Sequence, residues 1–446
     1  MQNYKDLELV FSRINDLKNT LELISWDGEV TRNSVKDHIN KIITIKSIIY
    51  EIATSQEVES MMQNTDIKEL KDDWQKTNFS LMKSFFKKIK SIPFEISTEL
   101  VKKTAICKYD FASAKKEERF EIVYPAFAEM LSIVKKIAST TEQDPSGTKY
   151  DALLKSNQID PSEIEGICIS VAPFLKSKLK EASCKTKAEQ HTQKINPRKI
   201  VEKFLHKDLF NISISTENHF FGGSTPLRII AKDKGYDALP SLMHSVGKSV
   251  YMANLPYSAY KNQPICSPTS LAIYSAQGFL FSHFFLEEKE VAKTFNHIKD
   301  SSFNSSVMGS NKFVALTHLM IQFSLEKSLI NEEIDPKNLE ESFREDMVYY
   351  FGQESSRTSV LQNKSWFLGK FCKYPSYLKG MVSAAQIFHI IKSDTKLWNP
   401  SKPKLSKVVN WLTENIYSLG ALYNTSYLIE KVTGEKLDCR FFKKFV

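Results

Sequence analysis

The segment around His244 carries the residues with the clearest catalytic associations. A zinc-peptidase helix needs two imidazoles four residues apart, so that both face the metal, and a carboxylate beside the first that activates a bound water. Here His244 is followed by Ser245 and, at the second imidazole position, by Lys248. A protonated lysine has no lone pair to offer a metal, and serine cannot serve as the carboxylate base. Taken alone, the pattern H-S-V-G-K therefore predicts only a structural histidine on a helix.

Other catalytic arrangements find little support in the sequence. It contains no G-x-S-x-G elbow, no G-x-x-x-x-G-K-[ST] loop and no G-x-G-x-x-G fingerprint. Ser245 beside His244 does not predict a triad, because adjacent helix positions point their side chains in different directions. Cys372 has no recognisable base near it in the sequence, so we expect a buried thiol.

Short segments spread along the chain resemble, in order and rough spacing, the zinc metallocarboxypeptidases of the Taq carboxypeptidase type. The family motif H-E-A-G-H-A-L-Y-E-Q-x-L-P is similar to HSVGKSVYMANLP, which runs from His244 to Pro256. The motif G-I-H-E-S-Q-S resembles AIYSAQG, and V-L-Q-D-V-H-W-S-x-G-x-F-G-Y-F-P-T-Y resembles VLQNKSWFLGKFCKYPSY. The other matching segments are ISWDGEV (Ile24 to Val30), YDALL (Tyr150 to Leu154), HFF (His219 to Phe221), the arginine Arg228, SVMGSNK, and FSLEKSLI (Phe323 to Ile330).

The resemblance implies that the site residues have been substituted. The first metal-ligand position keeps His244, whereas Lys248 and Ser275 stand at the other two and Ser245 at the general-base position. We therefore expect no intact catalytic group, no bound metal and no cofactor, although the family uses one zinc or a similar divalent metal. By the same resemblance, the substrate cleft is lined by His219, Arg228, Tyr374 and Tyr377.

Two roles for Lys248 follow from its position. In the simpler one, its ammonium extends into a wet, open cleft. In the other, it replaces the positive charge of the metal and attracts a peptide carboxylate, helped by Arg228 and Tyr377. We favour the simpler role, because lysine is tolerated wherever water reaches it.

These residues lead to two hypotheses for function. The first is a pseudo-peptidase that has lost zinc binding and peptidase activity and has a binding or regulatory role. The alternative is a residual metal-dependent carboxypeptidase that releases C-terminal amino acids through a rebuilt metal site. His219, Cys266 and His283 are conceivable replacement ligands. The resemblance also implies a possible peptide ligand and a homodimer.

Composition restricts the class of protein. Of the 446 residues, 42% are hydrophobic and 25% charged, which is typical of a folded globular chain. The net charge of +9 comes from lysines that alternate with glutamates on predicted helix faces, without the aromatic platform of nucleic-acid modules. No C-x-x-C pair, signal-peptide core or apolar run of ~20 residues occurs. We therefore expect a soluble, cytoplasmic protein that binds neither nucleic acid nor membrane.

Apolar residues recur at helical spacing along most of the chain, and glycine and proline are sparse. We therefore predict a mainly α fold, and the resemblance adds a large helical metallopeptidase-like architecture with a deep central cleft. Residues 208–232 alone alternate like strands, which predicts a small antiparallel β element near the former active site. We expect one domain over residues 1–446, with an N-terminal helical lobe over about 1–140 and a cleft-bearing remainder over about 150–446.

Overall fold

A computed structural model defines the fold of most of the chain. The structure describes residues 2–30, 35–140, 147–183, 197–202, 210–215, 219–221, 227–232, 239–286, 288, 305–352, 359–399 and 404–445. The first nine helices are α1 (Gln2–Val30), α2 (Val35–Thr54), α3 (Gln56–Asn64), α4 (Asp73–Ser91), α5 (Phe94–Glu117), α6 (Tyr124–Thr140), α7 (Lys149–Ser156), α8 (Pro161–Ser183) and α9 (Pro197–Val201). The later helices are α10 (Leu239–Ala253), α11 (Tyr257–Tyr260), α12 (Leu271–Phe279), α13 (Ser305–Ile330), α14 (Leu339–Phe351), α15 (Lys364–Phe367), α16 (Lys373–Ser393), α17 (Leu405–Asn415), α18 (Thr425–Thr433) and α19 (Arg440–Lys444).

Several helices begin where the sequence supplies a capping side chain. Thr148 and Asp151 form a capping box at the start of α7, in which each side chain binds the backbone N–H of the other residue. Ser270 accepts a hydrogen bond from the N–H of Ile273 and so starts α12. Helix α8 begins at Pro161, as the Asp-Pro-Ser sequence predicts.

Three helices with close backbone approaches position the segment around His244. Helix α12 continues directly into a π-helical turn, Leu280–Phe285, and it packs against both α10 and α16. A Cβ atom on Gly247 of α10 would lie 2.2 Å from the carbonyl oxygen of Gln277, so only glycine permits this crossing. A Cβ atom on Gly380 of α16 would lie 2.1 Å from the hydroxyl of Ser275. Side chains between these helices therefore have little room to change size.

The three strands form one small sheet in the order β1 (Phe210–Ser215), β3 (Leu227–Lys232), β2 (His219–Phe221). The β2–β3 pairing is antiparallel, as predicted, with His219 opposite Ile230. The β1–β3 pairing is parallel, so the expectation of a wholly antiparallel element is corrected. The alternating pattern predicts strands but not their direction, which depends on how the connection between them returns.

Buried apolar residues form one large cluster, which extends from Cys107 to Phe442, and two small clusters among the first four helices. The amide of Asn78, on α4, joins these first helices to the rest of the chain. Its Nδ2 donates to the Tyr4 hydroxyl at 3.1 Å and to Gln263 Oε1 at 3.2 Å, and its Oδ1 accepts from the N–H of Ile265 at 3.2 Å. Asn78 is fully buried, so this junction depends on complete pairing of its amide.

A second buried polar residue, Glu326 of α13, joins segments that are far apart in the sequence. It accepts hydrogen bonds from the Tyr150 hydroxyl at 2.8 Å, from Trp366 Nε1 at 2.7 Å and from the N–H of Cys372 at 2.6 Å. Burial raises the pKa of this carboxyl to about 7, against the opposing effect of the three hydrogen bonds. The YDALL, FSLEKSLI and VLQNKSW segments thus meet at one carboxyl group.

Some element boundaries differ from the sequence-based predictions. Helix α1 continues through Trp26 to Val30, although we expected it to end near Leu21 and a separate short segment to follow. Helix α13 begins at Ser305, within a stretch that we expected to be a polar break. The possible cap at Asn33 or Ser34 lies outside the described residues. So does most of the stretch 183–199, which its polar composition predicts to be a surface loop, but its described ends belong to α8 and α9. No helix in the described part of the chain is long and apolar enough to cross a membrane.

Candidate functional site

The imidazole of His244 lies between two helices and against a glycine. A Cβ atom on Gly278 of α12 would lie 2.5 Å from Cε1, 2.6 Å from Nδ1 and 2.8 Å from Nε2 of this ring. Phe279 lies edge-on to the imidazole, with 5.0 Å between the ring centroids. Burial, followed by the charge of Lys248, lowers the pKa of His244 well below its ordinary value, and a hydrogen bond with the Gly278 backbone opposes this. His244 is therefore a neutral ring held in a helix–helix contact.

Lys248, one turn further along α10, is almost completely buried, with 6% of its surface exposed. Its Nζ donates to the Tyr377 hydroxyl at 3.1 Å and lies 5.1 Å from the centroid of the Tyr274 ring. Burial lowers the pKa of Lys248 to about 7, with smaller contributions from the charges of Lys373 and Lys370. This placement differs from our expectation of an ammonium group in an open, wet cleft.

The serines at the general-base and third-ligand positions bind their own helices. Ser245 donates to the carbonyl oxygen of Ser241 at 3.1 Å. Ser275 is fully buried and donates to the carbonyl oxygen of Ala272 at 2.9 Å, under Gly380. Both hydroxyls therefore satisfy their donor capacity locally, which is the usual behaviour of serine inside a helix.

Of the four residues expected to line the cleft, the structure describes the side chains of three. Tyr377 contacts the site, because its hydroxyl binds Lys248 and its ring lies 6.5 Å from that of His244. Tyr374 is 5% exposed and packs edge-on against Trp366, so it belongs to the core. Arg228 is half-buried on β3, opposite Asn211 and Phe221. His219 is on β2, and its side chain lies outside the described set. A role for any of the four in substrate binding stays a prediction.

Two site residues, Lys373 and Ser365, were missed in the sequence. Lys373 Nζ donates to the Ser365 hydroxyl at 3.1 Å and lies 4.9 Å from the centroid of the Tyr377 ring. Lys248 Nζ lies 5.0 Å from the centroid of the same ring. Both Lys373 and Ser365 depart from the family motif, which has tyrosine and histidine there.

The donor atoms at the three ligand positions do not form a three-ligand metal centre as the structure places them. Only His244 offers a metal-binding group, and no cluster of three or more histidine, cysteine, aspartate or glutamate side chains that could hold a metal occurs within the described ranges. Of the conceivable replacement ligands, His283 is close enough for its charge to affect the pKa of His244. Cys266 is a buried thiol whose pKa burial raises to about 12.

Comparisons with known proteins agree with the fold described above. A sequence model of the family described as Carboxypeptidase Taq (M32) metallopeptidase matches residues 6–315 and 313–446. Thermostable carboxypeptidase 1 of Pyrococcus furiosus is 20% identical over 493 residues, covering 100% of this chain and 98% of that protein. Carboxypeptidase 1 of Bacillus subtilis is 20% identical over 486 residues, covering 97% of this chain and 95% of that protein.

Solved structures match over the whole chain. The structure of Pyrococcus furiosus carboxypeptidase, Apo-Mg, has a TM-score of 0.87 at 19% identity and covers 100% of this chain and 99% of its own. Trypanosoma cruzi metallocarboxypeptidase 1 has a TM-score of 0.86 at 18% identity and covers 100% of this chain and 98% of its own. The predicted mainly helical, metallopeptidase-like fold is confirmed.

The family match also corrects one expectation. We expected no cofactor, but the matching family is one of metallopeptidases, so a divalent metal is the cofactor that membership implies. That expectation came from Lys248 and Ser275, which stand at two of the three ligand positions of the family motifs. The chain, from residue 6 to its C-terminus, belongs to the Taq carboxypeptidase (M32) family of metallopeptidases.

Proposed function

We propose that this chain is a pseudo-peptidase, a family member that no longer hydrolyses peptides through the family's active-site positions and that binds peptides in a binding or regulatory role. The observation that carries the proposal is the orientation of His244. Its ring is packed against Gly278, where any side chain would collide with it. The ring also has a hydrogen bond with the Gly278 backbone and packs edge-on against Phe279, so it serves as a packing group between α10 and α12.

The other catalytic positions support the same proposal. Activating a water requires a carboxylate near the metal, whereas Ser245 is hydrogen-bonded to the carbonyl oxygen of Ser241. Ser275 has no space for a longer side chain beneath Gly380. Lys248 adds a positive charge where the family places a neutral ligand.

The remaining parts of the proposal concern partners and location. A homodimer and a cytoplasmic location are implied by the resemblance and by the cysteine pattern, and both stay predictions. Light scattering on the purified chain tests the dimer, with twice the monomer mass as the expected result. Fractionation of cells that produce the chain tests the location.

The test of lost hydrolysis compares this chain with Bacillus subtilis carboxypeptidase 1 on the same peptides. Each protein is incubated with a dansylated tripeptide in the presence of one added metal at a time, which is zinc, cobalt, manganese or magnesium. We expect the relative to release C-terminal amino acids and this chain to release none above the buffer control. We also expect the tripeptide to bind this chain, measured by dansyl fluorescence. Release that a chelator abolishes and that metal restores would overturn the proposal.

A second candidate function is a residual metal-dependent carboxypeptidase with a rebuilt site. The neighbouring imidazole of His283 favours it, because two histidines together are a common start of a metal site. Burial lowers the pKa of His283 to about 4, so the ring is neutral and keeps a lone pair for a metal. Stoichiometric metal bound to the wild-type chain, and absent from both the His244→Ala and the His283→Ala variants, would support this candidate.

A further inference from the structure

The substituted positions of the former site have become a connected cluster of cationic and hydroxyl groups. Lys248 donates to Tyr377, Lys373 donates to Ser365, and both ammonium groups lie within about 5 Å of the centroid of the Tyr377 ring. These contacts join residues from α10, α15 and α16. The cluster is defined here as Lys248, Lys373, Tyr377 and Ser365.

Among the described residues, no carboxylate forms an ion pair with the lysines of the cluster. Within the ranges that the structure describes, no ion pair involves Lys248, Lys370 or Lys373. Another buried lysine, Lys379, does have an acidic partner, Glu163, at 2.5 Å. Charges that repel one another in a buried site raise its free energy unless an anion joins them.

The hydrogen bonds already made leave several donors unused. An ammonium group has three donors, of which Lys248 and Lys373 each use one in the contacts above. The Tyr377 oxygen accepts from Lys248, and among the described residues its own hydrogen has no acceptor. After burial, the charge of Lys373 has the largest effect on the pKa of Lys248, so the two ammonium groups are near enough for their charges to interact.

Solvent exposure decreases from Lys370, which lies outside the cluster as defined, to the two lysines within it. Lys370 is exposed, Lys373 is half-buried and Lys248 is 6% exposed. An anion arriving from solvent would meet Lys370 first and then the two deeper ammonium groups. Lysines arranged in this way attract anions before contact and strengthen binding where water is excluded.

We propose that the cluster is a binding site for a carboxylate or other small oxyanion, and that its ligand is the C-terminal carboxylate of a peptide. This inference rests on the proposed function, because a family member that binds peptides without hydrolysing them needs a group that holds the peptide end. Two ammonium groups and a phenol donor would replace the electrostatic attraction of a metal with charge-assisted hydrogen bonds. The chain binds the peptide without hydrolysing it.

The experiment measures binding to the full chain with two kinds of probe. N-dansyl-Phe-Ala-Phe is titrated as the free acid and as the C-terminal amide, and inorganic phosphate is titrated by calorimetry. The variants are Lys248→Met, Lys373→Met and the double variant, which remove the charge and keep an unbranched side chain one atom shorter. Lys83→Met is the matched control, because Lys83 also lies over an aromatic ring, that of Phe79, and is remote in sequence.

We expect the acid to bind at least tenfold more tightly than the amide, with each single variant weakening only the acid by about tenfold or more, as for a charge-assisted hydrogen bond. Phosphate binding should weaken in parallel, and Lys83→Met should behave as wild type. Equal binding of acid and amide, unaffected by the lysine variants, would overturn the carboxylate site and leave the peptide-binding function standing. Lysine-dependent phosphate binding without peptide binding would support an oxyanion site and overturn the peptide-binding function. Binding of neither probe would overturn both.

A stability measurement excludes unfolding as the cause of lost binding. Lys248→Met removes a buried charge that has no acid partner, so urea should unfold this variant at the same or a higher concentration than wild type. Lys373→Met, at a half-buried position, gives a second folded variant. Lower stability of both variants would show that the lysines hold the fold together and would contradict a binding role.

Discussion

The ring of His244 occupies the space that a side chain at position 278 would need. Each of three ring atoms would lie within 2.8 Å of a Cβ atom on Gly278, so the two residues are coupled. The family motif has serine at this position. His244 and Gly278 are thus parts of one packing arrangement. The presence of His244 alone therefore does not indicate that peptide hydrolysis is retained.

Gly278→Ser is predicted to displace the imidazole of His244. Overpacking of this kind costs about 1–3 kcal/mol of the free energy of unfolding, measured in urea. In a His244→Ala background, Gly278→Ser should lower the unfolding free energy by less, because the imidazole that the serine side chain would contact is absent. Equal costs in the two backgrounds would contradict the coupling.

Ser275→Glu restores the carboxylate of the family motif and is predicted to destabilise the fold. The longer side chain would collide with Gly380 and bury an unpaired charge, at a cost of about 3 kcal/mol or more. Ser275→Ala is the control, and it should cost only about 1 kcal/mol because one local hydrogen bond is lost. A Glu variant that unfolds at the same urea concentration as wild type would show that the site retains space for a ligand.

Glu326 predicts a dependence of stability on pH. Its pKa in the folded chain, about 7, is above its ordinary value of 4.5, so the folded state keeps a proton that the unfolded state releases. The contribution of Glu326 to the unfolding free energy therefore falls as pH rises from about 4.5 to about 7, by roughly 1.4 kcal/mol per unit at most, and is constant outside this window.

Glu326→Gln removes this titration and tests it. The variant should be less stable overall, because its amide nitrogen would face at least one of the three donors, but its stability relative to wild type should improve as pH rises to 7. Glu117→Gln, at the exposed end of α5, is the control. Parallel pH profiles for wild type and Glu326→Gln would contradict the prediction.

Asn78→Leu is predicted to loosen the junction between α1, α4 and the segment at 263–265. It leaves the buried N–H of Ile265 and the partners of the Asn78 amide unpaired, which should cost about 2–4 kcal/mol. Asn64→Ala, at an exposed position, should change stability by less than about 0.5 kcal/mol. Similar losses for the two variants would show that Asn78 does not join these segments.

The sequence alone predicted the helical fold and the segments that identify the family. It did so because helical periodicity is local and because the order of the motifs is visible without a structure. The parallel pairing of β1 with β3 was not predictable, since strand direction depends on tertiary packing. The convergence of Tyr150, Trp366 and Cys372 on Glu326 was hidden for the same reason.

The candidate site was predicted in part. The substitutions at Ser245, Lys248 and Ser275 were readable from the motifs, but the direction in which each side chain points was not. The burial of Lys248 and its contact with Tyr377 required the structure, because those residues are 129 positions apart. The sequence did not single out Lys373, because lysine is common on exposed helix faces and its residue type does not predict burial.

The Asn78 junction has a consequence for how the chain folds during synthesis. Its amide binds a residue 74 positions before it and others 185 and 187 positions after it. The first four helices therefore cannot complete their contacts until residue 265 has left the ribosome. In that interval their apolar faces are exposed to water and to other chains, and a newly made chain would depend most on chaperones at this stage.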